Sequence, residues 1–177
     1  MPAPILAAFD QPAHELRDAV CAALAPQPGE RVLEVGAGNG YYALEVAAAL
    51  EFGGTIDIVE ALPDRLDEAM RTAHERGLDN VAPTLGDGRY LPFGDASFDA
   101  AYMVAALGDV PDQPAALAEL GRVLRGGGRL VVAELHGDPR RVDPARLRVS
   151  AAQAGLRLVE RVDARTGYVA LVAAAGR

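Results

Sequence analysis

Short apolar runs along the chain alternate with stretches in which apolar residues recur at helical spacing. Residues 11–25 predict an N-terminal helix, with Leu16, Val20 and Leu24 about one turn apart and Asp10 placed to cap it. Apolar runs near 31–35, 55–60, 81–85, 98–104 and 129–135 predict strands, and helical periodicity fills the gaps near 40–51, 63–76 and 113–125. Strand and helix thus repeat in turn, which predicts a parallel sheet covered on both faces. The tail breaks that rhythm. A helix over 144–154 is stopped by Gly155, and strands at 156–163 and 168–174 follow with only residues 164–167 between them. So short a connection makes a hairpin, and the hairpin puts one antiparallel strand into an otherwise parallel, seven-stranded α/β sheet.

The segment Arg31-Val32-Leu33-Glu34-Val35-Gly36-Ala37-Gly38-Asn39-Gly40 carries most of the functional information. An apolar strand runs directly into a glycine-rich turn and then into a helix starting near Tyr41. Gly36, Gly38 and Gly40 omit the Cβ atoms that would keep a ligand off the backbone, and the first turn of the helix offers free N–H groups. That combination predicts a nucleotide-type cofactor site. A dinucleotide fingerprint, G-x-G-x-x-G, would need glycine where Tyr41 stands, and a triphosphate loop would need a lysine that the segment lacks. What is left is G-x-G-x-G preceded by the acid Glu34.

In that form E-V-G-A-G-N-G resembles the first motif of the class I methyltransferases that use S-adenosylmethionine, and later segments match in the same order. Gly54-Thr55-Ile56-Asp57-Ile58-Val59-Glu60 reads as a second strand ending in an acid, roughly twenty residues on, where such sheets place a carboxylate on ribose hydroxyls. Gly86-Asp87-Gly88, Leu91-Pro92-Phe93 and Ser97-Phe98-Asp99 resemble the family's G-D…L-P-F…S-F-D run. Arg122-Val123-Leu124-Arg125-Gly126-Gly127-Gly128 resembles its R-V-L-K-P-G-G turn, with Gly126 where proline is usual. The match spans about residues 28–135. It implies a Rossmann-like doubly wound fold in a single domain, with 1–27 as a helical lid, 28–135 as the cofactor-binding core and 136–177 as a terminal helix and hairpin.

The same resemblance implies S-adenosylmethionine as cofactor and assigns roles to residues at the strands' carboxyl ends, where open α/β sheets bind ligands. Gly36, Gly38 and Gly40 would form the floor under the methionine portion, with Glu34 fixing the turn and holding the amino group. Glu60 would hold the ribose hydroxyls. Asp87 would accept from the adenine amino group while the backbone of Gly88 or Arg89 pairs the ring, and Ala61 or Leu62 would cover its face. On the acceptor side many relatives have L-H-H-V, and this chain has Leu107-Gly108-Asp109-Val110. Asp109 is then a candidate base or amine contact, or simply a turn residue. His136 is a second candidate base, since it follows Glu134 at the end of the fifth strand. His14 and Tyr41 are placed to cover the cofactor. His74 reads as solvent-facing, and Tyr90, Tyr102 and Tyr168 as core residues.

Composition narrows the substrate. With 177 residues, half of them hydrophobic, the chain builds one core. Its net charge of -8 and pI near 4.8 disfavour nucleic acid. The basic stretch Arg140, Arg141, Arg146 and Arg148 reads as a solvated helix face, with an anionic-substrate contact as the alternative. Cys21, the only cysteine, excludes an intrachain disulfide and fits a core position. No run of membrane-spanning length occurs, no metal-ligand cluster stands out, and a cytoplasmic protein is expected. Short connections after the fifth strand and in the hairpin favour a small-molecule acceptor, with the N-terminal helix or a second copy of the chain, as a homodimer, closing the pocket. Three functions follow: methyl transfer to a small molecule, as in the quinone-biosynthesis methyltransferases; a module that binds S-adenosylmethionine or S-adenosylhomocysteine without turnover; and a nicotinamide oxidoreductase, which the glycine spacing and the hairpin oppose.

Overall fold

Helix α1 (Leu6–Leu24) precedes β1 (Arg31–Val35), α2 (Tyr41–Ala49), β2 (Thr55–Glu60), α3 (Pro63–Glu75), β3 (Val81–Leu85) and β4 (Phe98–Val104). A 3-10 turn, Leu107–Asp109, then leads to α4 (Gln113–Val123), β5 (Leu124–Leu135), α5 (Pro144–Gln153), β6 (Leu156–Ala164) and β7 (Gly167–Ala174). The structure, a computed structural model, describes residues 6–50 and 53–174, with side chains from His14 onward. The seven strands form one sheet in the order β3-β2-β1-β4-β5-β7-β6. β7 runs antiparallel to both of its neighbours, and the other pairings are parallel. Pro83, which has no N–H to give a ladder, lies in the edge strand β3.

Two apolar layers fix the sheet between helices. On one face Leu16, Val20 and Leu24 of α1, Leu44 and Val46 of α2 and Leu66 and Ala69 of α3 pack on Val32, Tyr102 and Val131. On the other, Leu117 and Leu120 of α4 and Leu147 and Ala151 of α5 pack on Leu33, Met103 and Val132. The strand order reverses at β1, so β2 and β4 diverge from either side of it and leave a crevice at their carboxyl ends. Among the described residues, no helix is long and apolar enough to cross a membrane.

Four local expectations are corrected. Helix α1 already runs from Leu6, so Asp10 falls inside it rather than capping it. β5 starts at Leu124, not near 129, because Leu124 pairs with Phe98 before the register jumps to Ala100 opposite Arg129. The glycines 126–128 therefore form a bulge within a strand and not a turn before one. Tyr90 is exposed at the surface, where the Arg89 guanidinium lies 5.6 Å from its ring centre, instead of joining the core. Cys21 is only partly buried, packed against the α1 side of the core. The described side chains of α1 form a core layer against β4, β5 and β7, and the part of the proposed lid before His14 lies outside the described side chains.

Candidate functional site

The chain leaves β1 still tied to β2, since the Gly36 N–H donates to the Val59 carbonyl at 2.8 Å. Gly36 has φ +78°, and a Cβ there would run into Ala106, so the turn needs glycine twice over. At Gly38, φ +57°, the backbone N–H donates to Glu60 Oε2 at 2.8 Å. Gly40 ends the turn at the start of α2, and a Cβ on it would stand 3.0 Å from that of Ala69 on α3. The glycine turn is thus clamped between β2, the loop after β4, and α3.

Glu60 is the hub of this clamp. Only 7% exposed, it accepts from Gly38 N–H on Oε2 and from the Ala61 and Leu62 N–H groups on Oε1, both at 3.0 Å. A carboxylate offers about four acceptor positions, so three backbone bonds orient it and leave roughly one. Asp87, across the crevice, is paired to its neighbour instead. The Arg89 guanidinium donates to both of its oxygens, at 2.6 Å for the shortest bond, and holds the carboxyl below its ordinary range. The Arg89 N–H also donates to Asp87 Oδ1, at 2.9 Å, and Gly88 between them lines the crevice.

Between these groups lies a crevice of about 360 Å³, lined on the cofactor side by Val35, Gly36, Glu60, Ala61, Leu62, Asp87 and Gly88. Its volume falls in the usual range for small-ligand sites, about 300–1,000 Å³. Met103, Ala106, Asp109, Val110, Pro111 and Arg140 line the other end. Ala105, at the end of β4, holds φ +48° there, a strained conformation for a residue with a Cβ.

Glu34 is placed elsewhere. At 1% exposure it lies behind the glycine turn on the α2 side, where its Oε2 accepts from the Tyr102 hydroxyl at 2.9 Å. Burial pushes its carboxyl up to about 8, against partial opposition from the Tyr102 hydroxyl. It joins β1 to β4 beneath the turn and does not line the crevice. Gly38 and Gly40 shape the turn from outside the lining as well.

On the acceptor side the structure brings Asp109 to the crevice and leaves His136 out. Asp109 pairs with Arg140 at 2.5 Å. His136 is exposed beside the β6–β7 hairpin, its N–H bonded to the Thr166 carbonyl, and Arg141 Nη1 donates to its Nδ1 at 2.7 Å. A guanidinium has no acceptor, so Nδ1 must be the accepting nitrogen and a neutral ring carries its hydrogen on Nε2. The basic stretch divides: Arg146 and Arg148 are solvated on α5, Arg141 holds His136, and Arg140 reaches the crevice.

Two residues were missed by the sequence reading. Arg65 lines the crevice from the first turn of α3, where a cation opposes the helix dipole, a mismatch visible in the sequence. Glu134 is an acid inside the apolar run 130–135, buried to 1% exposure, with neither carboxyl oxygen hydrogen-bonded.

Comparison with known proteins gives the family and the fold. Residues 32–128, more than half of the chain, match the family profile described as methyltransferase domain. A demethylmenaquinone methyltransferase of Mycobacterium sp. (strain KMS) is 38% identical over 118 residues, covering 67% of this chain and 47% of that protein. The chain spans about half the length of the curated relatives it matches. Among solved structures, a SAM dependent methyltransferase from Aquifex aeolicus superposes with a TM-score of 0.83 at 18% identity, covering 94% of this chain and 95% of that one. A structure titled as the (4+2)-cyclase SpnF gives 0.81 at 25% identity, covering 93% and 82%.

Proposed function

We propose that this chain, which belongs to the class I S-adenosylmethionine-dependent methyltransferases, transfers the cofactor's methyl group to a small-molecule acceptor. The observation that carries the reading is Glu60, a buried carboxylate at the end of β2 that is bonded to the glycine-turn amide of Gly38 and opens on the crevice.

The residues present fit that cofactor. Glu60 keeps an acceptor position that would take a ribose hydroxyl, and Gly88, Ala61 and Leu62 line the crevice where the adenine would lie. Val35, Gly36 and Ala106 give the methionine portion a floor without a bulky side chain. When bound, S-adenosylmethionine supplies a methyl group on a sulfonium sulfur, which is already a strong electrophile. The protein's share of the work is to hold donor and acceptor in line and to exclude water. Met103, Val110 and Pro111 wall the acceptor end with apolar surface, and the Asp109–Arg140 pair closes its mouth. Glu34, neutral under its burial, supports the turn from behind rather than meeting the methionine amino group.

The small acceptor is supported by the short 136–143 connection and by the demethylmenaquinone methyltransferase among the relatives. A cytoplasmic location and an acceptor other than nucleic acid fit the net charge of -8. A second reading, a module that binds the cofactor without turnover, is favoured by one observation: His136 stands outside the crevice and Asp109 is already ion-paired.

Calorimetry with S-adenosylmethionine, S-adenosylhomocysteine and NADH tests the cofactor; the first two should bind and NADH should not, and preference for NADH would overturn the reading. Transfer of an isotope-labelled methyl group into a metabolite extract tests turnover. Tight cofactor binding with no labelled product leaves the binding module.

A further inference from the structure

Among the described residues, the oxygens of Glu134 are the only buried side-chain polar atoms left without a hydrogen bond. A fold that satisfies the rest of its described buried polar side chains and leaves one carboxyl without a well-formed hydrogen bond beside a ligand crevice makes that group a candidate for a role outside the fold.

Its position says which purpose. Met103 of β4 pairs with Val132 of β5, and both pack on the α4 and α5 side of the sheet. Glu134 lies two residues beyond Val132, so it shares that face, one pleat repeat, about 6.6 Å, nearer the carboxyl rim. Met103 lines the crevice. Glu134 therefore lies next to the crevice, beyond Met103 on the side away from Glu60, and is buried rather than part of the crevice lining.

Asp109, Asp138, Arg141 and the Val142 amide act on Glu134, and the segments that carry them are held together by a clasp. Gly108, in the 3-10 turn, packs so closely on the Arg140 carbonyl that no Cβ fits. Arg140 also pairs with Asp109 at 2.5 Å and approaches Asp138 at 3.5 Å. The loop that carries Arg140 is anchored behind at Val142, whose carbonyl accepts from the Tyr168 hydroxyl at 2.6 Å. The Asp109 and Arg140 side chains are 46% and 62% exposed, and ion pairs so exposed hold weakly.

We propose that Glu134 is the proton acceptor at the acceptor end of the crevice, reached when the Asp109–Arg140 clasp opens. The proposal rests on the methyl-transfer reading. The acceptor is then a neutral O–H or N–H compound, not a carboxylate, which a buried carboxyl would repel. As the bond from the acceptor atom to the methyl carbon forms, the sulfur–methyl bond breaks with its electron pair left on sulfur. The O–H or N–H proton moves to a Glu134 oxygen and leaves to water when the clasp reopens. The groups around Glu134 suit that role. Burial pushes its carboxyl up to about 7, with Asp138 and Asp109 acting the same way and the Val142 amide and Arg141 acting against it. Tyr168, its cross-strand neighbour on β7, is itself pushed up and stays neutral. A base that titrates near neutrality is matched to such a transfer.

Two measurements test this. Carbodiimide coupling of an amine, mapped by mass spectrometry, reports access: Glu134 should label slowly in the unmodified protein and about tenfold faster in Asp109→Ala. Glu134 unlabelled in both, while surface carboxyls react, overturns the proposal. In Glu134→Gln, cofactor affinity by calorimetry should be unchanged and single-turnover methyl transfer should fall about a hundredfold or more. The unmodified protein's rate should rise with pH through the neutral range, and the variant should lose that limb. A variant with full rate and the same pH profile also overturns it. If the unmodified protein binds S-adenosylmethionine yet methylates nothing, the methyl-transfer reading falls and the proton role with it; a sealed Glu134 in an active enzyme sinks the proposal alone.

Discussion

Glu60 and Glu134 are both acids buried at the carboxyl end of a strand, and their surroundings treat them in opposite ways. Three backbone N–H groups fix Glu60, whereas Glu134 has none in hydrogen-bonding geometry. The first is a carboxylate oriented before any ligand arrives, so its loss should be felt mainly in binding. Glu60→Ala should weaken S-adenosylhomocysteine by about 1.5–3 kcal/mol, the range for a charge-assisted hydrogen bond lost from a buried site. Alanine also frees the Gly38, Ala61 and Leu62 amides, so Glu60→Gln is the cleaner variant. Its amide keeps one oxygen for two N–H groups but turns a donor toward the Gly38 N–H or the ribose. About tenfold weaker binding in calorimetry is expected for it. Unchanged affinity in both variants, with each still folded, would remove Glu60 from the cofactor site.

At the scale of elements, two glycines with similar backbone conformations separate turn geometry from ligand contact. Gly38 has φ +57° and Gly127, in the β5 bulge, has φ +79°, and a Cβ on either meets nothing within 4 Å. Gly38→Ala and Gly127→Ala should each cost about 1–2 kcal/mol of stability, from the left-handed backbone alone, in chemical denaturation. Only Gly38→Ala should also weaken the cofactor, because only that turn presents its amide to Glu60; equal affinities would mean that the glycine turn is not the floor. The turn and the strand before it were legible in the sequence because G-x-G-x-G after an apolar run has few other structural uses. The alternation of strand and helix and the terminal hairpin were legible too, from periodicity and connection length. The β5 bulge was not, since it depends on which residues of β4 and β5 pair, and the hydrophobic pattern carries no register across strands. That His136 stands outside the crevice lining was hidden for a related reason. Its place at the end of β5 is local, but its partner Arg141 and its seat by the hairpin are set by the tertiary fold. Glu134 stood in plain view as an acid in an apolar strand, yet only the packed structure shows that neither of its oxygens has a well-formed hydrogen bond.

For the whole molecule, the same buried acids set how stability depends on pH. Glu34, pushed up to about 8, and Glu134, pushed up to about 7, stay protonated in the fold while their unfolded counterparts ionise near the ordinary glutamate value of 4.5. Folding then takes up protons between those limits, so stability falls as pH rises from 4.5 toward 8 and levels off above. Asp99 and Glu119 act at the other end. Their carboxyls are held low by Arg125 and Arg122, and the stability they add is lost as pH falls below about 4. Maximum stability is therefore expected near pH 5, with Tm dropping by roughly 20 °C between pH 5 and pH 8 if each pH unit costs about 1.4 kcal/mol per buried acid up to its folded pKa. A rival cause exists, since a net charge of -8 at pH 7 also makes the compact state repel itself as acids ionise. Salt distinguishes the two: at about 1 M the screening length is near 3 Å, which removes repulsion between surface charges but does not reach a buried carboxyl. Differential scanning calorimetry from pH 5 to pH 8 should keep most of its slope in 1 M salt and lose it in the double variant Glu34→Gln, Glu134→Gln. A slope abolished by salt and kept by the double variant would place the pH dependence on the surface and leave both buried acids as ordinary ionised residues.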